Sequence, residues 1–157
     1  MYEGLTHLHN FLRWVILLLL IVAIVKHLSG MSSSKAYTSG DRKVGLFLMI
    51  AAHIQLLIGL YQWFAGNFGL KLIQAQGMGE VMGNSASRFW VVEHTIGMLV
   101  AIILITLGKG VAKKNISDKA KHTKAFWNFL IALILILAVI PWPFRDVARP
   151  LFPGMSI

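Results

Sequence analysis

The sequence predicts an all-α integral membrane protein, an up-down-up-down four-helix bundle, and three observations predict it. Residues of the set AVILMFWYC make up 57% of the 157-residue chain, and charged residues only 13%, against roughly 25% in soluble domains. The mean hydropathy is +0.70. Four apolar stretches also approach the ~20 residues that a spanning helix needs. A chain of this length fits one such unit, so we expect a single membrane domain over residues 1–157.

Each predicted span is bounded by polar or helix-breaking residues. The spans cover about residues 5–25, 44–64, 89–107 and 125–142. The apolar centre of the first, Trp14–Val25, is too short to cross a bilayer alone, so the preceding turns with His9 must lie within or at the edge of the membrane. Pro141 and Pro143 stop the fourth span, because proline cannot continue a helix.

The connections between the spans predict the topology. Loops 26–43 and 108–124 hold ten Lys and Arg, whereas loop 65–88 and the tail after residue 140 hold four. Because short cytoplasmic loops carry the excess of positive charge, both termini should lie on the outer side. Loop 65–88 is too rich in glycine to span and is expected to contain a short interfacial helix. The tail to Ile157 is expected to run extended across the surface, and His27 and His122, beside lysines, are expected to be solvated.

Charge and cysteine content exclude several functions. The net charge of +9 lies in short loops between apolar runs, where topology explains it, so we do not expect nucleic-acid binding. The chain has no cysteine, which excludes disulfides, thiolate metal sites, iron–sulfur clusters and covalently attached haem.

Five ionisable residues inside the predicted spans are the candidate functional residues. They are His9 and Arg13 in the first span, His53 in the second, and Glu93 and His94 in the third. Such residues are costly in hydrocarbon and normally face the bundle interior, where they mark a site.

His9 and His94 are predicted to face each other. Each lies four or five residues inside the outer end of its span, and the first and third helices of such a bundle are diagonal partners. Two neutral imidazoles at one depth suit the axial positions of a b-type haem. His53 is roughly 6–9 Å deeper and is either a replacement ligand or the mark of a second site. A nonhaem iron or zinc site built from these three histidines and Glu93 is a further alternative.

The sequence allows several alternative roles for Arg13 and Glu93. Arg13 follows His9 by one helical turn and shares its face, so its guanidinium needs an anionic partner inside the membrane. That partner is Glu93 or a haem propionate. Glu93 is alternatively a carboxylate that holds a ligand's ring N–H, or part of a quinone or proton relay. The structural alternatives are an Arg13–Glu93–His lock and a His53 that hydrogen-bonds a neighbouring helix.

Four motifs spread over nearly the whole chain carry a resemblance. They are H-x-H-x-x-x-R-W at 7–14, A-H-x-Q-L-L-x-G-L at 52–60, V-E-H at 92–94 and I-P-W-P-F-R at 140–145. With them the chain resembles a family of small bacterial four-span proteins labelled cytochrome b or cytochrome b-like. The resemblance implies a role at the bacterial inner membrane and binding of haem b. Together with the count of Lys and Arg, that location makes both termini periplasmic. The cytochrome b of a quinol-oxidising complex has more spans and two pairs of histidine ligands, and this chain lacks both.

Two hypotheses of function follow. The first is a b-type cytochrome-like protein that passes single electrons between a quinone pool or partner and another redox protein. The second is a cofactor-free structural or assembly subunit of a larger respiratory or envelope complex, with loop 65–88 and the tail as its docking surface. The bilayer is the common partner of both.

Overall fold

In a computed structural model, which describes residues 2–152, the protein is a bundle of four long helices with short helices in one connection. Residues 153–157, the end of the predicted extended tail, lie outside the described residues. The helices are α1 Tyr2–Ser33, α2 Ser39–Ala65, α3 Leu70–Gln76, α4 Met78–Gly83, α5 Ser85–Arg88, α6 His94–Gly110 and α7 Asp118–Val139. A π-helical turn, Phe89–Glu93, joins α5 to α6, and a 3-10 turn, Val111–Lys113, follows α6.

The predicted all-α, four-span architecture is confirmed. Four helices in the described part of the chain are long and apolar enough to cross a membrane, which makes this a multi-pass membrane protein. Helix α1 packs against α2 and α7, and α6 packs against the same two helices. Helices α1 and α6 therefore occupy opposite corners of the bundle, as predicted. We call the end where α1 and α6 begin the cavity end, and the other the opposite end.

Most helices continue beyond the predicted spans, because their polar ends are also helical. Helix α1 reaches Ser33 rather than residue 25, and α2 begins at Ser39. A capping box fixes the start of α2, where the backbone N–H of Thr38 donates to Asp41 at 2.8 Å. Such reciprocal bonds satisfy the free N–H groups of a first turn. Helix α7 instead ends early, at Val139, ahead of the two prolines.

A tightly packed layer fills the middle of the bundle. Leu20, Leu48, Ile105 and Phe129 are fully buried. Gly108 lets α6 approach α7 here, because a Cβ at this glycine would lie 2.6 Å from the Phe129 ring. Lipid tails are as apolar as leucine, so close packing of this kind, rather than the hydrophobic effect, holds such helices together.

The prediction that His27 and His122 are solvated is wrong. They are only 1% and 2% exposed, and their Nδ1 atoms lie 2.9 Å apart. The Tyr37 ring, from the loop after α1, covers both imidazoles at centroid distances of 5.7 and 5.2 Å. Because α1 continues to Ser33, His27 lies within the helix instead of in a loop. The pair joins α1 to α7 by a buried hydrogen bond at the opposite end.

Gly30 makes room for this pair, and a side chain there should destabilise the bundle. A Cβ at Gly30 would lie 2.5 Å from the His122 ring. Gly30→Val should therefore lower the free energy of unfolding by about 1–3 kcal/mol, the usual cost of overpacking. Unfolding followed by circular dichroism in detergent measures the change.

The matched control is Gly4→Val in the same helix, where a Cβ meets nothing within 4 Å. Valine and glycine differ by only a few tenths of a kcal/mol in helix propensity, so this variant should unfold like the wild type. Equal stabilities of the two variants would contradict the close packing at Gly30.

Candidate cofactor site

A cavity of about 240 Å³ lies among the four long helices at the cavity end. One buried water needs only about 10–15 Å³, so this space fits an organic molecule. Its deep part is apolar and is lined by Met98, Ile102, Ile105 and Ile136. Polar and aromatic side chains line its outer part: His9, Arg13, Gln55, Trp63, Phe68, Trp90, His94 and Arg149.

His9 and His94 face each other across this cavity. Their ring centroids are 6.5 Å apart, with a 48° angle between the ring planes. Two metal–nitrogen bonds of about 2.0 Å and two imidazole radii of about 1.1 Å would place the centroids about 6.2 Å apart. The observed separation therefore suits two imidazoles that ligate one metal atom from opposite sides.

A hydrogen bond to α7 orients the His94 ring. Its Nδ1 lies 2.8 Å from the carbonyl oxygen of Val139. Because a carbonyl only accepts, Nδ1 carries the proton and donates. In the neutral ring Nε2 then keeps its lone pair, as in metal-ligating histidines whose other nitrogen is held by a carbonyl or carboxylate.

Sequence explains why the Val139 carbonyl is free to accept this bond. Within a continuing helix it would accept from residue 143, but Pro143 has no N–H. Close contact between α6 and α7 is possible because Gly97, one turn after His94, has no side chain. A Cβ there would lie 2.7 Å from Cγ1 of Val139.

The other carbonyls at the end of α7 are satisfied by the tail. The indole N–H of Trp142 donates to Leu137 at 2.8 Å, in place of the N–H that Pro141 lacks. Arg145 Nη1 donates to Ala138 at 2.7 Å. The I-P-W-P-F-R motif is thus a cap for α7 that leaves one carbonyl for His94.

Helix α2 positions His9. Gln55 Nε2 donates to the His9 carbonyl at 2.9 Å. Gly59 leaves space for the ring, because a Cβ there would lie 3.3 Å from His9 Cε1. Nδ1 of His9 is buried without a hydrogen-bond partner in the described part of the chain.

Arg13 shares the cavity with His9, as its spacing predicts, but it does not pair with Glu93. Its side chain is 7% exposed. Nη2 donates to the Leu151 carbonyl at 2.6 Å, and Trp14 Nε1 donates to the same oxygen at 2.7 Å. Nε has no partner among the described residues. The anionic partner that the sequence predicts for Arg13 is thus replaced, in this structure, by a carbonyl of the tail.

The predicted place of Glu93 in the cavity is wrong. Its carboxylate accepts from Arg88 Nε at 2.8 Å, and the side chain is 41% exposed. Successive helical residues point about 100° apart, so Glu93 turns away when His94 faces the cavity. Glu93 also ends the π-helical turn, in which the His94 N–H donates to the Phe89 carbonyl, and this turn changes the helical phase further. The Arg13–Glu93 lock is not formed.

The predicted role of His53 as a ligand in this cavity is also wrong. His53 is exposed on the outer surface of α2, and its Nδ1 bonds the Met49 carbonyl in its own helix at 2.8 Å. The cavity face of α2 includes Ala52, Gln55 and Gly59 but not His53. A displacement of one residue from that face turns the imidazole outward.

A nonhaem metal site is likewise not formed. No group of three or more His, Asp or Glu side chains close enough to hold a metal ion occurs within residues 2–152. Of the predicted ligands, the structure brings together only His9 and His94.

Arg149, which is not among the residues predicted from the sequence, also lines the outer part of the cavity. Its guanidinium lies 4.7 Å from the ring centroid of Phe68 and 5.0 Å from that of Trp90. Its only signal in the sequence was a basic residue in a Pro-rich tail. A count of Lys and Arg predicts the topology but assigns no contact to any single residue.

No family model, curated protein or solved structure matches the chain. The resemblance to cytochrome b-like proteins therefore rests on the four motifs alone.

The His94–Val139 bond should be visible in the NMR signals of the ring nitrogens. We expect His94 to carry its proton on Nδ1. In Gly97→Ala the new methyl should push α7 away, so that a fraction of the rings adopts the other tautomer. Gly110→Ala, in the same helix but in open space, should leave the signals unchanged. A wild-type ring protonated only on Nε2 would contradict the assignment.

Proposed function

We propose that the cavity binds one b-type haem whose iron His9 and His94 would hold, and that the protein transfers single electrons within the membrane. The observation that carries the proposal is the pair of imidazoles, 6.5 Å apart, on helices at opposite corners of the bundle. Four-helix bundles commonly build cofactor sites from facing helices in this way.

The chain's own residues are suited to this group. The bond to Val139 occupies Nδ1 of His94 and leaves its Nε2 lone pair free, and Gly59 leaves room for the His9 ring. The isoleucines and Met98 of the deep part would exclude water from an apolar macrocycle. Arg13 would supply a cation for a propionate. When bound, the haem iron supplies the one-electron redox chemistry, and the protein tunes its potential through the axial ligands and burial.

Unpaired polar atoms support a ligand in this cavity. Within residues 2–152, four buried side-chain nitrogen or oxygen atoms have no hydrogen-bond partner, and three belong to cavity residues: His9 Nδ1, Arg13 Nε and Gln55 Oε1. Buried polar atoms are nearly always paired, and an exception often marks a site.

The location and partners are part of the proposal. The motif resemblance and the distribution of Lys and Arg support the bacterial inner membrane, with the cavity end on the periplasmic side. We propose that electrons pass between a quinone pool or partner and another redox protein. The haem would lie in the outer leaflet.

The proposal predicts a b-type spectrum and its loss in two variants. The purified wild type should give a reduced-minus-oxidised α band and about one haem per chain in a pyridine haemochrome assay. His94→Ala and His9→Ala each remove an axial ligand, so haem content should fall at least about tenfold, because a lost metal ligand costs several kcal/mol of binding.

His53→Ala is the matched control. This variant also removes a histidine from the middle of a span, but the His53 ring faces outward. The variant should therefore retain the full haem content. A folded wild type that binds no haem, in cells or on reconstitution, would refute the proposal. Loss of haem in His53→Ala but not in His9→Ala would refute the assignment of ligands.

A further inference from the structure

The outer part of the cavity is cationic and has no carboxylate of its own. Arg13 and Arg149 both line it, and no Asp or Glu is among the lining residues that the structure describes. We propose that Arg149 is a second anion-binding residue of the cavity, which therefore selects a flat apolar ligand with two carboxylates. This inference rests on the proposed function and adds Arg149 to it.

Aromatic rings hold Arg149 at the cavity. Its guanidinium lies over Phe68 and Trp90 at 4.7 and 5.0 Å, and its backbone N–H donates to Pro141 at 3.1 Å. Guanidinium groups stack on aromatic faces and still present their N–H donors at the edge. Within residues 2–152 no carboxylate lies within ion-pair distance of Arg149.

The tail around Arg149 is fastened across α1. Two residues later, the Leu151 carbonyl accepts from both Arg13 and Trp14. The Phe152 ring stacks on Trp14 at 5.3 Å. These contacts bring Arg149 and Arg13, which are far apart in sequence, to the same cavity.

The buried Arg13 and the half-buried Arg149, with no carboxylate among the described lining residues, favour a dianionic ligand. An unpaired charge within membrane depth is costly, and arginine pairs well with carboxylates because of its planar, forked donors. A porphyrin with two propionates places two carboxylates on one edge of an apolar plate. The same porphyrin with both carboxylates esterified keeps the plate and the iron but loses both charges.

The test compares iron protoporphyrin IX with its dimethyl ester. Both are titrated into the purified full-length protein in detergent, and the Soret band reports binding. We expect the wild type to bind the diacid at least about tenfold more tightly. Arg149→Gln should weaken diacid binding about 10- to 100-fold, the usual worth of a hydrogen bond to a charged group. It should leave ester binding unchanged.

Ester binding is an internal control, because it shows that the cavity and both histidines remain intact. Arg42→Gln, at the opposite end, controls for loss of charge and should match the wild type. If Arg149→Gln does not fold, Arg149→Lys takes its place, and it should lose part of the preference, since lysine keeps the charge without the planar fork.

The titrations distinguish failure of haem binding from failure of the role of Arg149. If neither porphyrin binds the folded wild type, the proposed function fails. If both bind but the wild type shows no preference for the diacid, or if the preference is unchanged in the Arg149 variant, the inference about Arg149 fails while the haem proposal stands.

Discussion

The site depends on the hydrogen bond between His94 and the Val139 carbonyl. In a membrane an unpaired carbonyl costs several kcal/mol, since no water can satisfy it. Pro143 removes the backbone donor of this carbonyl, so a side chain must replace it. The imidazole that does so has its ring fixed by the same bond. One hydrogen bond therefore both satisfies a carbonyl at the end of α7 and orients the candidate ligand His94. Gly97 permits this bond because it lets α6 and α7 approach each other.

The two ends of the bundle use histidine pairs in different ways. At the opposite end His27 and His122 bond each other directly, at 2.9 Å, and Tyr37 covers them. At the cavity end His9 and His94 keep their centroids 6.5 Å apart with open space between the helices. Close packing stabilises membrane bundles, so a bundle that leaves a cavity between two imidazoles loses contacts there. A ligand bound in the cavity would restore these packing contacts, which agrees with the proposed haem site.

Sequence predicted the helices and their diagonal arrangement because span length and loop length determine both. It also predicted that His9 and His94 lie at one depth, since depth follows from the number of residues between each histidine and the end of its span. It failed where a result depends on helical phase. His53 is one residue from the cavity face, and Glu93 is the last residue of a π-helical turn that no apolar pattern reveals. His27 was misjudged for another reason, because neighbouring lysines in a sequence do not show where a helix ends.

The two ends of the bundle differ in the type of basic residue as well as in the number. The opposite end has nine lysines and Arg42, whereas the cavity end has four arginines and Lys71. The cavity-end arginines are engaged locally. Arg88 pairs with Glu93, Arg145 caps α7, and Arg149 stacks on aromatic rings. Arginine serves such planar, forked contacts better than lysine does. If these three locally engaged arginines are left out of the count, the excess of Lys and Arg at the opposite end is larger still, which strengthens the proposed periplasmic location of the cavity.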